Sequence, residues 1–163
     1  NPCPCGFLGD TRNRCSCDPA QIQRYESRIS GPLLDRIDMH LEVPVVPIED
    51  MRGSQTGEPS IVIKERVDRA REIQKSRFTT NNRIYFNSQM GPKEIERHCI
   101  LDPYSLSLLE RGVKKLGLSA RAYHRILKIA RTIADMDGAE KITSANIAEA
   151  IQYRRFDRKP PVS

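Results

Sequence analysis

Helix starts and helix stops recur at short intervals from Ser60 onward, and this pattern restricts the fold of the chain more than any other feature. Each apolar segment begins with an N-cap residue or with proline in the first turn. The starts are Gly91-Pro92, Asp102-Pro103, Ser119, and Thr143 or Ser144. Between them, apolar side chains recur three and four residues apart, which predicts amphipathic helices that pack on one another. Residues 60–157 are therefore predicted to form an all-α bundle.

The first helix of this bundle is predicted to run from Ser60 to about Arg77. One of its faces would be apolar and would contain Ile63, Val67, Ala70, and Ile73 or Gln74. On the later helix that Ser119 begins, the predicted inward residues are Ala122, Ile126, Ile129, Ala130 and Ile133. Cys99 is predicted to be a buried helix residue, since an isolated cysteine usually behaves as a small apolar side chain.

The first 59 residues have a different organisation. Residues 1–17 read as a structured loop, and Asp18-Pro19 predicts a helix that continues to Ile29. A short helix is expected after Gly31, with Leu33, Leu34 and Ile37 docked on one side. Near-alternation of apolar residues then predicts a strand over 39–46. The fold prediction is thus mainly α, with short helices and one or two strands in 1–46, a linker at 47–59, the helical domain at 60–157 and a tail at 158–163.

Composition limits the possible functions. The 163 residues are 38% hydrophobic and 29% charged, no apolar run approaches a membrane span, and no signal peptide begins the chain. We therefore expect a folded cytoplasmic protein without a membrane partner. The net charge of +6 permits a polyanionic partner, whereas the absence of tryptophan argues against a base-stacking platform.

Four of the five cysteines form two close pairs, Cys3/Cys5 and Cys15/Cys17, in the pattern C-x-C-x9-C-x-C. Thiolates bind zinc tetrahedrally, and two pairs brought together by a loop would complete four positions. Two interpretations stay open, a structural zinc site and four reduced cysteines packed in a loop. A catalytic zinc is disfavoured, because four thiolates leave no open position.

Two arginines stand out by position. Arg36 follows the short helix at Gly31, and it is either an ordinary surface residue paired with Asp35 or Asp38 or a group that reaches beyond its own fold. Arg121 lies in the first turn of a helix, followed by Arg125, Lys128 and Arg131 in a basic stripe that is either a solvated face or a binding surface. The sequence contains neither G-x-x-x-x-G-K-[ST] nor G-x-G-x-x-G, so no phosphate-binding glycine loop is present in it.

Four segments together resemble the magnesium-chelatase-like AAA+ ATPases of the ComM (YifB) family. They are NPCPCG at 1–6, CSC at 15–17, ISGPLLDRID at 29–38 and LSARAYHRILKIARTIAD at 118–135. The resemblance extends over nearly the whole chain and implies the C-terminal part of an AAA+ α/β core followed by a helical lid domain. The Walker A and Walker B motifs would lie upstream, so we expect a C-terminal fragment that does not hydrolyse ATP alone.

The resemblance also implies roles for single residues. Asn1 matches the sensor-1 asparagine, which orients the attacking water near the γ-phosphate. Arg36 matches the arginine finger that one subunit offers to the nucleotide of its neighbour, and Arg121 matches the sensor-2 arginine, which reaches the γ-phosphate of its own subunit. ATP and Mg²⁺ are the implied cofactors, and Zn²⁺ at Cys3, Cys5, Cys15 and Cys17 stays a possibility.

The implied function is that of a hexameric, ATP-driven motor acting on DNA, with helicase or branch-migration activity in recombination and natural transformation. The implied partners are therefore copies of the same chain in a ring, and DNA. A basic DNA-binding module without motor action is one alternative. A magnesium-chelatase ATPase subunit of tetrapyrrole synthesis is another, although the cysteine loop favours the DNA-acting branch.

Overall fold

The computed structural model describes residues 1, 3–9, 14–41, 43, 46, 57–79 and 83–154. Of the predicted linker only residues 57–59 are described, and the predicted tail at 158–163 lies outside the described residues. The described helices are α1 (Pro19–Glu26), α2 (Gly31–Leu34), α3 (Ser60–Arg77), α4 (Pro92–His98), α5 (Pro103–Leu116), α6 (Ala120–Met136) and α7 (Ser144–Gln152), with a 3₁₀ turn at Asn87–Gln89. These helices confirm the prediction that the fold is mainly α.

The chain divides into two compact units. The first consists of residues 1–37 and 42–54, and the second of residues 38–41 and 55–163. None of the helices in the described residues is long and apolar enough to cross a lipid bilayer.

α1 starts at Pro19, where the sequence predicts, and α2 starts at Gly31, one residue earlier than predicted. The Asp18 carboxylate accepts a hydrogen bond from the Gln21 backbone N–H (2.8 Å), and the Ser30 hydroxyl caps α2 in the same way (3.3 Å). However, α1 ends at Glu26 rather than Ile29, because the Arg28 and Ile29 backbone N–H groups donate to the carbonyls three residues earlier instead of four. The docking predicted for α2 is also wrong in part, since Leu33 and Ile37 are exposed by 49% and 40%.

The strand predicted over 39–46 is not formed in the residues of that range that the structure describes, which are 39–41, 43 and 46. An alternating apolar pattern gives a strand only where a neighbouring strand accepts and donates backbone hydrogen bonds. In this structure the His40 backbone N–H instead donates to the Tyr153 carbonyl, just beyond α7 (2.8 Å). The segment 38–41 therefore lies along the helical unit, and we call it the strap.

The second unit is built around α6. This helix contacts α3, α4, α7 and the 3₁₀ turn, and α5 packs on α7. Its apolar side contributes Ile126, Leu127 and Ala130 to a buried cluster, with Ile129 and Ile133 packed against that cluster. Gly112 on α5 permits a close approach to α7, because a Cβ at this position would lie 2.7 Å from the Ile151 Cδ1 atom.

Only the C-terminal half of α3 is buried as predicted. Ala70 and Gln74 are buried, whereas Ile63 and Val67 are exposed by 42% and 38%. The apolar face of α3 therefore extends beyond the surface that this helix packs against within the second unit.

Candidate functional site

The four paired cysteines converge in the first unit. Their Sγ atoms all lie within 4.8 Å of one another, and Cys3 is fully buried. The Cys3–Cys5, Cys5–Cys15 and Cys3–Cys15 Sγ distances are 3.3, 3.6 and 3.7 Å. Tetrahedral coordination with Zn–S bonds of 2.3 Å places the sulfurs about 3.8 Å apart. The cluster therefore has the donor set and nearly the spacing of a four-thiolate zinc site.

A tight turn brings the first pair together. The Gly6 backbone N–H donates to the Cys3 carbonyl (3.0 Å), and Gly6 has φ +80°, a conformation that L side chains rarely adopt. The Phe7 backbone N–H donates to the Cys5 sulfur. This hydrogen bond is the largest of the effects that together lower the pKa of Cys5 to about 6. At Cys17 a hydrogen bond from the Cys5 backbone is outweighed by desolvation and by the neighbouring sulfurs, so the pKa rises to about 12. Four thiolates this close need a cation between them to be ionised together.

A basic cavity of about 390 Å³ lies in the second unit. On one side α6 contributes Arg121, His124, Arg125 and Lys128. The 3₁₀ turn, the two residues after it and α4 contribute Ser88, Met90, Gly91, Pro92 and Ile95 to the lining, and the strap contributes Asp38. Since Arg121, Arg125 and Lys128 are spaced four and three residues apart, one face of α6 presents all three cations.

Arg125 and Lys128 are each held by an acceptor. The Arg125 guanidinium pairs with the Asp38 carboxylate, and Lys128 Nζ donates to the Ser88 carbonyl (2.9 Å). Burial and then the charge of Arg125 lower the pKa of Lys128. Arg121 begins the row in the first turn of α6, whose N-cap Ser119 hydroxyl accepts from the Ala122 backbone N–H (3.1 Å).

Arg131 does not belong to the basic stripe in which the sequence pattern places it. It is 3% exposed, and its guanidinium donates to the Ala139 and Glu140 carbonyls (2.6 and 2.7 Å) and to the Asp135 carboxylate (3.1 Å). Asp135, 1% exposed, also accepts from Arg77 and from the Asn87 amide. Arg131 is therefore a structural residue that joins α6 to the loop after it.

This buried polar network was missed by sequence reasoning. It links α3, the 3₁₀ turn and α6 through Arg77, Asn87 and Asp135. The sequence contains one signal for this network, because Arg131 and Asp135 lie four residues apart on a helix and are surrounded by alanines and isoleucines.

Asn1 and Arg36 both lie in the first unit and are exposed. Arg36 Nη1 donates to the Pro32 carbonyl one turn earlier (2.9 Å). Asp38, one of the two partners considered for Arg36, pairs with Arg125 instead. The Asn1 side chain lies beside Gly6 at the cysteine turn, since a Cβ on Gly6 would be in ordinary van der Waals contact with the Asn1 Cγ atom (3.7 Å).

The structure thus brings together the four cysteines, and it brings Arg121 together with Arg125 and Lys128. Cys99 is buried as predicted, although it follows α4 rather than lying inside it, and its burial raises its pKa to about 11.

Comparison with known families assigns both parts of the chain. Residues 57–154, more than half of the chain, match the model "Magnesium chelatase, subunit ChlI C-terminal", and residues 1–51 match "Magnesium chelatase, subunit ChlI".

Among curated proteins, the chain is similar to the competence protein ComM of Haemophilus influenzae, with 46% identity over 159 residues. It is similar to the uncharacterized protein YifB of Escherichia coli (42%) and to that of Salmonella typhimurium (41%). Each alignment covers 97% of this chain and 30% of the relative. The chain therefore spans less than a third of the length of the curated relatives that it matches.

Proposed function

The chain belongs to the family of the magnesium chelatase subunit ChlI, and on this premise we propose that it forms the C-terminal portion of a cytoplasmic AAA+ ATPase motor that acts on DNA. In this proposal the subunits form a hexameric ring, and ATP hydrolysis drives helicase or branch-migration activity. An arginine finger requires a head-to-tail interface between subunits, and such an interface closes into a ring when the rotation permits it.

The position of Arg121 is the observation on which this proposal depends most. Its side chain lines a basic cavity at the start of α6, the helix around which the second unit is built. A residue that senses the γ-phosphate must be exposed to a phosphate yet fixed to an element that can move as one piece. Arg121 meets both requirements, because it is exposed and α6 is packed along its other face.

Arg36 is proposed as the finger that acts in trans. It is exposed immediately after α2, and its hydrogen bond to the Pro32 carbonyl holds the side chain along that short helix. A guanidinium at the γ-phosphate neutralises the charge that spreads over the transferred phosphoryl group. Asn1 is proposed to orient the attacking water through its side-chain amide. Mg²⁺, bound with ATP, would neutralise phosphate charge.

The test is to replace Arg36 by alanine in the full-length protein. Loss of the finger is expected to lower ATP turnover by about a thousandfold while ATP binding stays within about twofold. Arg28→Ala is the matched control, since Arg28 is an exposed arginine of the same unit that lies over the Tyr25 ring. Normal turnover in Arg36→Ala would contradict the proposal.

We also propose that Cys3, Cys5, Cys15 and Cys17 hold one structural zinc ion. Metal analysis is expected to find about one zinc per chain, and Cys3→Ser to lose it. Cys99→Ala should retain the metal, because Cys99 lies in the buried cluster of the second unit. Equal metal content in the two variants would refute the site.

The alternative of a basic DNA-binding module is less well supported. Of the four cations in its stripe, Arg131 is buried and Arg125 is paired with Asp38. That alternative predicts DNA binding by this chain alone that weakens steeply with added salt, without any dependence on ATP. A chelatase subunit stays a second alternative, and chelatase activity without DNA-dependent ATP turnover would favour it.

A further inference from the structure

We propose that the cavity along α6 binds the phosphate chain of a nucleotide through Arg125 and Lys128 as well as Arg121, and that the Asp38 carboxylate occupies Arg125 until the phosphate arrives. The inference rests on the proposed function and deepens it, because it assigns two further phosphate contacts and a built-in competitor to the same site. The chemical class of the ligand is a linear polyphosphate.

The first argument is the concentration of positive charge. Arg121, Arg125 and Lys128 follow one another along about 10 Å of a single helix face. Like charges at this spacing destabilise a helix. Asp38 is the only carboxylate among the described residues that line the cavity, so three cations face one anion. A bound polyphosphate would bring negative charge to this face of α6.

The second argument is partial burial. The Arg125 side chain is 23% exposed, and Lys128 is also half-buried with its ammonium held on the Ser88 carbonyl. Cations on a merely solvated face extend into water, whereas these two are oriented by acceptors at the cavity wall. Low solvent access also strengthens their attraction to an anion.

The third argument concerns Asp38. Its side chain is 57% exposed, so it can leave Arg125 at small cost, and a carboxylate offers the same paired oxygens that a phosphate offers to a guanidinium. Asp38 belongs to the strap, which is tied to the end of α7 through the His40 N–H to Tyr153 carbonyl hydrogen bond. The strap therefore keeps the competing carboxylate close to the cavity.

The size and shape of the site favour a nucleotide over DNA. A cavity of about 390 Å³ is in the usual range for a small-molecule site, and Gly91, Pro92 and Ile95 line it together with the cations. A DNA backbone would require an extended row of accessible cations, and Arg131 is not available to extend this row.

The proposal is tested by calorimetric titration of this chain with inorganic tripolyphosphate. Asp38→Asn is expected to tighten binding by about twofold to fivefold, because the competing charge is removed while the side-chain size is kept. Arg125→Gln should weaken binding at least about tenfold. Arg111→Gln is the matched control, since Arg111 is an exposed arginine of α5 outside the cavity, and it should change binding by less than about twofold.

Asp38→Asn keeps the test decisive even if Arg125→Gln folds poorly, because a damaged fold does not tighten binding. Unchanged or weaker binding in Asp38→Asn would overturn the proposal. Equal losses in Arg125→Gln and Arg111→Gln would also overturn it, by showing diffuse attraction to a basic surface. Preference for a single-stranded oligonucleotide over tripolyphosphate, measured in the same series, would assign the cavity to DNA instead. These outcomes are independent of the Arg36 turnover experiment, which tests the proposed motor function.

Discussion

Asp135 and its partners connect more elements than any other polar group in the described part of the second unit. Its carboxylate accepts from Arg77 of α3, Arg131 of α6 and the Asn87 amide, and Asn87 also donates to Thr132 (3.1 Å). Because Asp135 and Arg131 are almost completely buried, each needs the others as hydrogen-bonding partners. Arg131 shows why a charge pattern in the sequence can be misread. Its spacing fits a solvated basic stripe, but tertiary contacts decide which cation of the stripe is buried.

Replacing Asp135 by asparagine is expected to lower the free energy of unfolding by about 3–5 kcal/mol, because two arginines would lose their buried counter-charge. Urea-induced unfolding of this chain measures the effect. Asp68→Asn is the control, since Asp68 forms an exposed pair with Lys64 (3.2 Å) and should cost less than about 0.5 kcal/mol. Similar losses in the two variants would contradict a buried network.

His98 is expected to make stability depend on pH. Burial and then the Arg77 charge lower the pKa of His98 below 6.5, so the folded protein binds this proton less readily than the unfolded chain. Stability is therefore full above the unfolded pKa and falls as the pH decreases through it. Unfolding measured between about pH 8 and pH 5.5 should show this decline, and His98→Gln should flatten it. An unchanged pH slope in His98→Gln would contradict the prediction.

The bounds of a helix could be predicted closely where a capping residue lies at each of its two ends. α5 begins after Asp102, whose carboxylate accepts from the Tyr104 and Ser105 backbone N–H groups, and it ends at Gly117 with φ +61°. The strand over 39–46 could not be predicted correctly, because strands depend on partners elsewhere in the chain whereas helix caps are local. The exposed half of α3 is a similar case, since periodicity alone does not reveal how far a neighbouring surface extends.

Gly117 provides the test at this scale. Alanine at a left-handed position costs about 1–2 kcal/mol, so Gly117→Ala should lower the melting temperature of this chain by several degrees. Lys115→Ala, two residues earlier on the exposed side of α5, should leave it nearly unchanged. If Gly117→Ala melted at the same temperature as the unchanged chain, the αL cap would have no stabilising role.

For the whole molecule, the candidate sites were predicted to different extents. The cysteine spacing predicted which four sulfurs meet, and Arg121 was found from its place in a helical first turn together with the family resemblance. The cavity, the Asp38–Arg125 pair and the strap could not be predicted, because each depends on residues more than eighty positions apart in sequence. The roles of Asn1, Arg36 and Arg121 at a nucleotide remain predictions.

The most direct test of the central claim, that Arg36 completes the nucleotide site of a neighbouring subunit while Arg121 serves its own, is ATP turnover by mixed full-length variants. Arg36→Ala and Arg121→Ala should each be inactive alone. When they are mixed, the finger of an Arg121→Ala subunit can enter the intact site of an Arg36→Ala subunit, so turnover should reappear and peak at intermediate ratios. Mixtures that stay inactive at every ratio, although both variants assemble together, would contradict the account.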